Sequence, residues 1–140
     1  MRQLQLMIGS SKSYSEGTNV SEDIEAPTLF WQPPPVRQVK VNVDGGFKHN
    51  NKGSFGAVIR DSNVLVLAAC FGPIIVSSAI QAEAITMRQG LDLVRLAGFN
   101  ICVVESDCRE LISAVSKKVL PRPIEIYSLL KDIDIVLWSL

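Results

Sequence analysis

Apolar and polar residues alternate along Val39-Lys40-Val41-Asn42-Val43-Asp44, which is the period of a β-strand. Gly45-Gly46 is expected to end it. Gly53 to Arg60 (GSFGAVIR) reads as a second strand, with glycines that allow close backbone approach. Asp61-Ser62-Asn63 is turn chemistry. Val64 to Phe71 follows as a third strand, apolar on both faces and therefore expected to be central or well covered. Three strands joined by short turns predict an antiparallel meander.

The period then changes. Ser77-Ser78 offers a helix N-cap, and Ile80, Ala84, Met87, Leu91 and Val94 step along one face of a helix spanning 79–97. Gly98 is its stop signal. Ile101 to Val104 reads as a short buried strand, and 108–117 as a helix with Leu111, Ile112 and Val115 apolar. Pro121 and Pro123 break the chain before a last helical pattern from Ile124 to about Leu137. The order β-β-β-α-β-α-α predicts an α/β (α+β) fold. Its mixed sheet has a three-stranded antiparallel meander and a parallel strand reached through a helix, with helices on the faces.

The first 36 residues have a different texture. Ser10 to Ser21 is rich in Ser, Gly, Asn and Glu and has no period, so 1–28 is expected to be disordered. Trp31-Gln32-Pro33-Pro34-Pro35 makes 29–36 a stiff strap. Trp31 either packs on the domain edge or sits in a linker. The expected organisation is an N-terminal segment and strap over 1–36 and one domain over 37–140.

Composition narrows the function classes. Of 140 residues 47% are hydrophobic and 20% charged, and the net charge is zero. From Arg37 onward there are 12 basic and 10 acidic residues, so charge alone makes no case for a nucleic-acid or membrane partner. The longest nearly unbroken apolar stretch, Val64 to Val76, is interrupted by Gly72-Pro73 and falls short of the ~20 residues of a membrane helix. The N-terminus is a poor secretory signal, which points to an intracellular protein. Cys70, Cys102 and Cys108 form no CxxC pair, which argues against a disulfide framework and a structural zinc site. They read as small hydrophobes. The single histidine, His49, lies in a Lys-His-Asn-Asn-Lys-Gly turn and reads as a solvated loop residue.

Three acids sit in odd places. Asp44 closes the first strand, Glu83 lies on or beside the apolar stripe of the first helix, and Asp107 follows the strand 101–104. A carboxylate beside an apolar stripe is costly unless something pairs or binds it. Acids converging from the ends of adjacent elements suit a divalent cation, and Mg²⁺ prefers hard oxygen ligands. Each has a plainer reading: Asp44 as a turn residue, Asp107 as the N-cap of a capping box with Glu110, Glu83 leaning to the helix flank. Asp61, Asp92, Glu105 and Glu110 read as solvated surface charges.

The runs VKVNVDGGF (39–47), GAVIRDSN (56–63), QAEA (81–84) and VESDC (104–108) together resemble the plant ribonuclease H-like domain. This is the ribonuclease H type-1 form found in retrotransposon-derived and reverse-transcriptase-associated proteins. The Trp-Gln-Pro-Pro-Pro strap also resembles what often precedes that domain, so the likeness covers residue 31 to about 137. It implies a ribonuclease H fold and metal-dependent cleavage of the RNA strand of an RNA–DNA hybrid. Asp44, Glu83 and Asp107 would then be three of the family's four acids, holding two Mg²⁺ (or Mn²⁺) ions that activate the attacking water and stabilise the leaving oxygen. The hybrid would be gripped through its 2′-hydroxyls and phosphates.

The departures are as specific. The family's fifth strand, His loop and last helix with the fourth acid have no counterpart before Leu140, so the chain reads as a C-terminally truncated copy. Asp132 and Asp134 lie too close to Asp107 to serve as that acid. The missing strand would leave strand 101–104 as an exposed edge. Val64 stands where a glycine is usual after Asp-Ser-Asn. The expectation is therefore an impaired hybrid endonuclease. The alternatives are an inactive nucleic-acid-binding module and a non-functional retroelement fragment.

Overall fold

Val39, Val41 and Val43 are almost wholly buried on the core side and the residues do form a strand, although Lys40 in the polar phase is buried too and Asn42 partly so. The computed structural model describes residues 4–10, 18–23, 31–116 and 121–140. This strand, β3 (Val39–Lys48), runs through Gly45-Gly46 rather than ending there. Its ladder with β4 (Lys52–Arg60) continues from Asp44↔Gly56 to Lys48↔Lys52. The turn is made instead by Asn50 and Asn51 at φ 68° and 59°, a left-handed conformation that asparagine tolerates. His49 is exposed in this turn.

The third strand corrects an expectation. β5 (Val66–Ile75) pairs only with β4 and lies at the sheet edge. Its Ala68 and Cys70 pack against the core, whereas Phe71 and Ile75 are 85% and 88% exposed. A strand apolar on both faces is thus covered on one only. Pro73 sits inside it because an edge strand can spare an amide donor.

Helix α1 (Ala79–Leu96) starts as its sequence predicts. Ser78 Oγ accepts the Gln81 amide, and Gln81 Oε1 reaches back to the Ser77 amide. Gly98, at φ 86°, lies just beyond its end. The chain returns as β6 (Ile101–Ser106), parallel to β3 from Val39↔Cys102 to Asn42↔Glu105. Helix α2 (Arg109–Val115) follows; α3 (Tyr127–Ser139) comes after a short 3-10 turn at Ile124–Ile126. Val39, Val41, Val43, Ile59, Cys102 and Val104 share one core with Met87 and Leu91 of α1, Leu111 and Ile112 of α2, and Leu130 and Ile133 of α3. These strands form one stretch of a six-stranded mixed sheet, with β3, β4 and β5 antiparallel and β6 parallel to β3, backed by helices.

The N-terminal segment departs from expectation in part. Residues 4–10 and 18–23 form strands β1 (Leu4–Ser10) and β2 (Thr18–Asp23). β1 runs antiparallel to β6 from Leu4↔Ser106 to Gly9↔Ile101, so β6 is not the exposed edge that was expected. The rest of 1–28 lies outside the described residues. Among the described residues no helix is long and apolar enough to cross a membrane.

Candidate metal centre

The three odd acids meet. Asp44 on β3, Glu83 on α1 and Asp107 after β6 each offer a carboxylate oxygen, and these oxygens lie within 4.8 Å of one another. Gly45 makes this possible. A Cβ there would stand 2.6 Å from the Ala82 carbonyl oxygen and 2.8 Å from the Glu83 nitrogen, so only glycine lets α1 settle this close to β3. Ala82 and Ala84, both fully buried, fix the rotation of α1 on either side of Glu83. The plainer reading of Asp107 fails: the N-cap of α2 is Cys108, without a side-chain cap bond, and its amide is held by Ser106 Oγ at 3.1 Å. Asp107 is exposed, as is Asp44.

The electrostatics suit a cation. Glu83 is pushed up to about 7, first by burial and then by the charges of Asp107 and Asp44; the Gly45 amide works the other way. Its Oε2 is shut off from solvent and has no hydrogen-bond partner. A buried carboxylate oxygen with no donor, facing two further acids, fits a hard divalent ion that would supply the missing positive charge.

No competing chemistry is built nearby. Burial pushes the Cys102 thiol up to about 12 and raises Cys70 and Cys108, so none of the three is an activated nucleophile. Asp132 and Asp134 pair with Arg88 and Arg122 at 2.9 and 2.7 Å and do not join the cluster.

Beside the acids lies a polar network that sequence reasoning missed. Glu105 is no surface charge: it is 3% exposed and bridged at 3.0 Å to Lys40, itself 3% exposed. Asn42 Nδ2 donates to Glu105 Oε1, and Trp31 Nε1 donates to Asn42 Oδ1 at 3.1 Å. Lys40 Nζ donates to the Gln32 carbonyl. Trp31 thus packs on the domain rather than sitting in a linker. The signal was present, since Lys40 and Asn42 occupy the polar phase of β3. Only the β3–β6 register shows that a buried acid stands opposite.

A mixed sheet of this topology, with three carboxylates gathered where β3, α1 and β6 meet, defines a ribonuclease H fold. The chain belongs to the reverse transcriptase-like family, whose model matches residues 42–137. Among solved structures it is similar to ribonuclease H1 of the archaeon Halobacterium salinarum, with a TM-score of 0.66 and 15% identity, covering 73% of this chain and 78% of that one. It is also similar to the N-terminal ribonuclease H domain of a Mycobacterium tuberculosis protein, with a TM-score of 0.62, 19% identity and coverages of 73% and 75%. LC11 ribonuclease H1, isolated from compost by a metagenomic approach, matches in a complex with an RNA/DNA hybrid at a TM-score of 0.60 and 14% identity, with coverages of 70% and 75%. No curated protein matches this chain.

Proposed function

We propose that this chain binds RNA–DNA hybrids and hydrolyses their RNA strand with the help of divalent metal, as a ribonuclease H of type 1. The observation that carries this reading is the convergence of Asp44, Glu83 and Asp107 around an unpartnered buried carboxylate oxygen. Family membership and the hybrid-bound structural relative support the substrate class. Asp44, Glu83 and Asp107 would hold Mg²⁺ or Mn²⁺, which supplies Lewis acidity and a water of lowered pKa. Glu83, raised to about 7 and so about half protonated at neutral pH, would give up its remaining proton on becoming a ligand. The two exposed acids leave the site open for a phosphodiester to approach.

A second reading, hybrid binding without effective turnover, is favoured by one observation. Among the described residues only three carboxylates reach the cluster, and Asp132 and Asp134 are engaged elsewhere. The test is a labelled RNA–DNA hybrid incubated with the protein in Mg²⁺ or Mn²⁺, beside double-stranded RNA and DNA controls. Cleavage confined to the RNA strand of the hybrid, and lost in Glu83→Gln, supports the enzyme. Binding without cleavage in either ion supports the second reading. Neither binding nor cleavage refutes both.

A further inference from the structure

We infer that the groove running from the acid cluster to Trp31 is a phosphate subsite for a nucleic-acid strand, with Arg60 as its anchor and the proline strap as its wall. This inference rests on the hybrid-binding reading above and adds to it residues outside the acid cluster.

The groove has a volume of about 800 Å³. Asp44 and Asp107 stand at one end and Trp31 and Arg60 at the other, with Val58 between them and Phe55 just beyond Asp44. Arg60 is the only basic residue in its lining, and among the described residues it forms no ion pair with a carboxylate. Its guanidinium is instead held against the Trp31 ring, with Cζ 5.6 Å from the centroid. An indole face attracts a cation without using its hydrogen-bond donors. The fork of N–H groups therefore stays available for a phosphate, the oxyanion it matches best.

Trp31 can serve as a wall because it is itself fixed. Its Nε1 is tied to Asn42, Asn42 to Glu105, and Glu105 to Lys40, whose ammonium lies 5.2 Å from the same ring and bonds the Gln32 carbonyl. A buried ion pair thus clamps the strap onto β3. Trp31 is a positioning residue acting through Arg60.

Spacing fits a polymer better than a mononucleotide. Arg60 is four residues from Gly56, the cross-strand partner of Asp44. At ~3.3 Å per strand residue that is about 13 Å. That is longer than one phosphodiester unit, so a strand crossing the acids would bring a neighbouring phosphate, not the reacting one, to Arg60. The apolar Val58 lies beneath the sugars and bases between.

The experiment is a fluorescence-anisotropy titration of a labelled RNA–DNA hybrid against salt. It uses the wild type and an Asp44→Asn background that lowers the repulsion of the cluster and keeps the hybrid intact. In that background Arg60→Ala is expected to weaken binding about five- to tenfold and to reduce the slope of log K against log salt by about one, the signature of one lost phosphate contact. Arg60→Lys should keep the slope and recover part of the affinity. Trp31→Phe, which keeps an aromatic face but loses the Nε1 bond to Asn42, should bind between the parent and Trp31→Ala, which should lose more of the Arg60 contribution. A hybrid-binding protein whose Arg60→Ala form keeps the parent's affinity and salt slope overturns the subsite alone. If neither wild type nor Asp44→Asn binds hybrid, the functional reading falls and the subsite with it.

Discussion

The Cα of Gly45 faces the backbone of Ala82 so closely that a methyl group on it would lie 2.6 Å from the Ala82 carbonyl oxygen. The neighbouring atoms are backbone and cannot swing aside. Gly45→Ala must therefore push α1 away from β3 and carry Glu83 out of reach of Asp44. Overpacking of this kind costs about 1–3 kcal/mol. The expected outcome is a lower melting temperature together with loss of any stabilisation by divalent ions. Unchanged ion-dependent stabilisation in Gly45→Ala would contradict this account of the site.

Three carboxylates within 4.8 Å repel one another in the metal-free protein. Mg²⁺ or Mn²⁺ is expected to stabilise the fold by mass action, by about 2.7 kcal/mol at a hundredfold excess over Kd, and so to raise the melting temperature. Asp44→Asn removes a ligand and a charge, so it should raise stability without the ion and shrink the response to it. Thermal melts across an ion titration check both; a melting temperature indifferent to millimolar ions would refute the metal centre.

The raised pKa of Glu83 has a definite sign. Between its ordinary value near 4.5 and about 7 the unfolded chain has released this proton while the folded chain retains it. Stability then falls as pH rises across that window and levels off above it. Urea midpoints measured with a chelator present, from below pH 4.5 to above pH 7, should show this decline. Glu83→Gln should remove that contribution.

Lys40 and Glu105 are a buried ion pair, each about 3% exposed. Removing one partner of such a buried pair costs about 3–5 kcal/mol. Lys40→Met should therefore destabilise the fold by roughly that amount. It should also loosen the strap, seen as a red shift of Trp31 emission in a Trp138→Phe background. A melting temperature within a degree of wild type would refute the clamp.

Val64 holds φ at 67° in the turn after β4, where a β-branched side chain is strained. The turn is otherwise well made: Asp61 Oδ1 accepts the amides of Asn63 and Leu65. Val64 is 52% exposed and contributes little packing. Val64→Gly is expected to stabilise the protein by about 1 kcal/mol, the left-handed penalty less the glycine's entropy. Denaturant unfolding measures it.

Much of this protein is local and was readable from the chain. The β3 alternation, the Ser78 cap, the apolar stripe of α1 and the stop at Gly98 each depend on neighbours within a few residues. Glu83 also stood out, because a carboxylate beside an apolar stripe has a local cost that asks for a partner, whereas Asp44 and Asp107 taken singly had plainer readings and joined it only through the resemblance. What no stretch of sequence decides is which element lies beside which. Glu105 follows a run of apolar residues and looks like a strand-end charge. It is buried because the parallel register sets it opposite Asn42, next to Lys40. Val66–Ile75 is apolar enough for a central strand, yet the sheet order leaves it at the edge. Trp31 was ambiguous until Asn42 supplied its acceptor. Hydrophobic period reports only that a side chain leaves water, whereas ion pairs, edges and grooves depend on contacts between residues far apart in the chain. Asp44, Glu83 and Asp107 are separated by 39 and 24 positions; the packing of α1 against Gly45 and the parallel pairing of β6 with β3 bring them together.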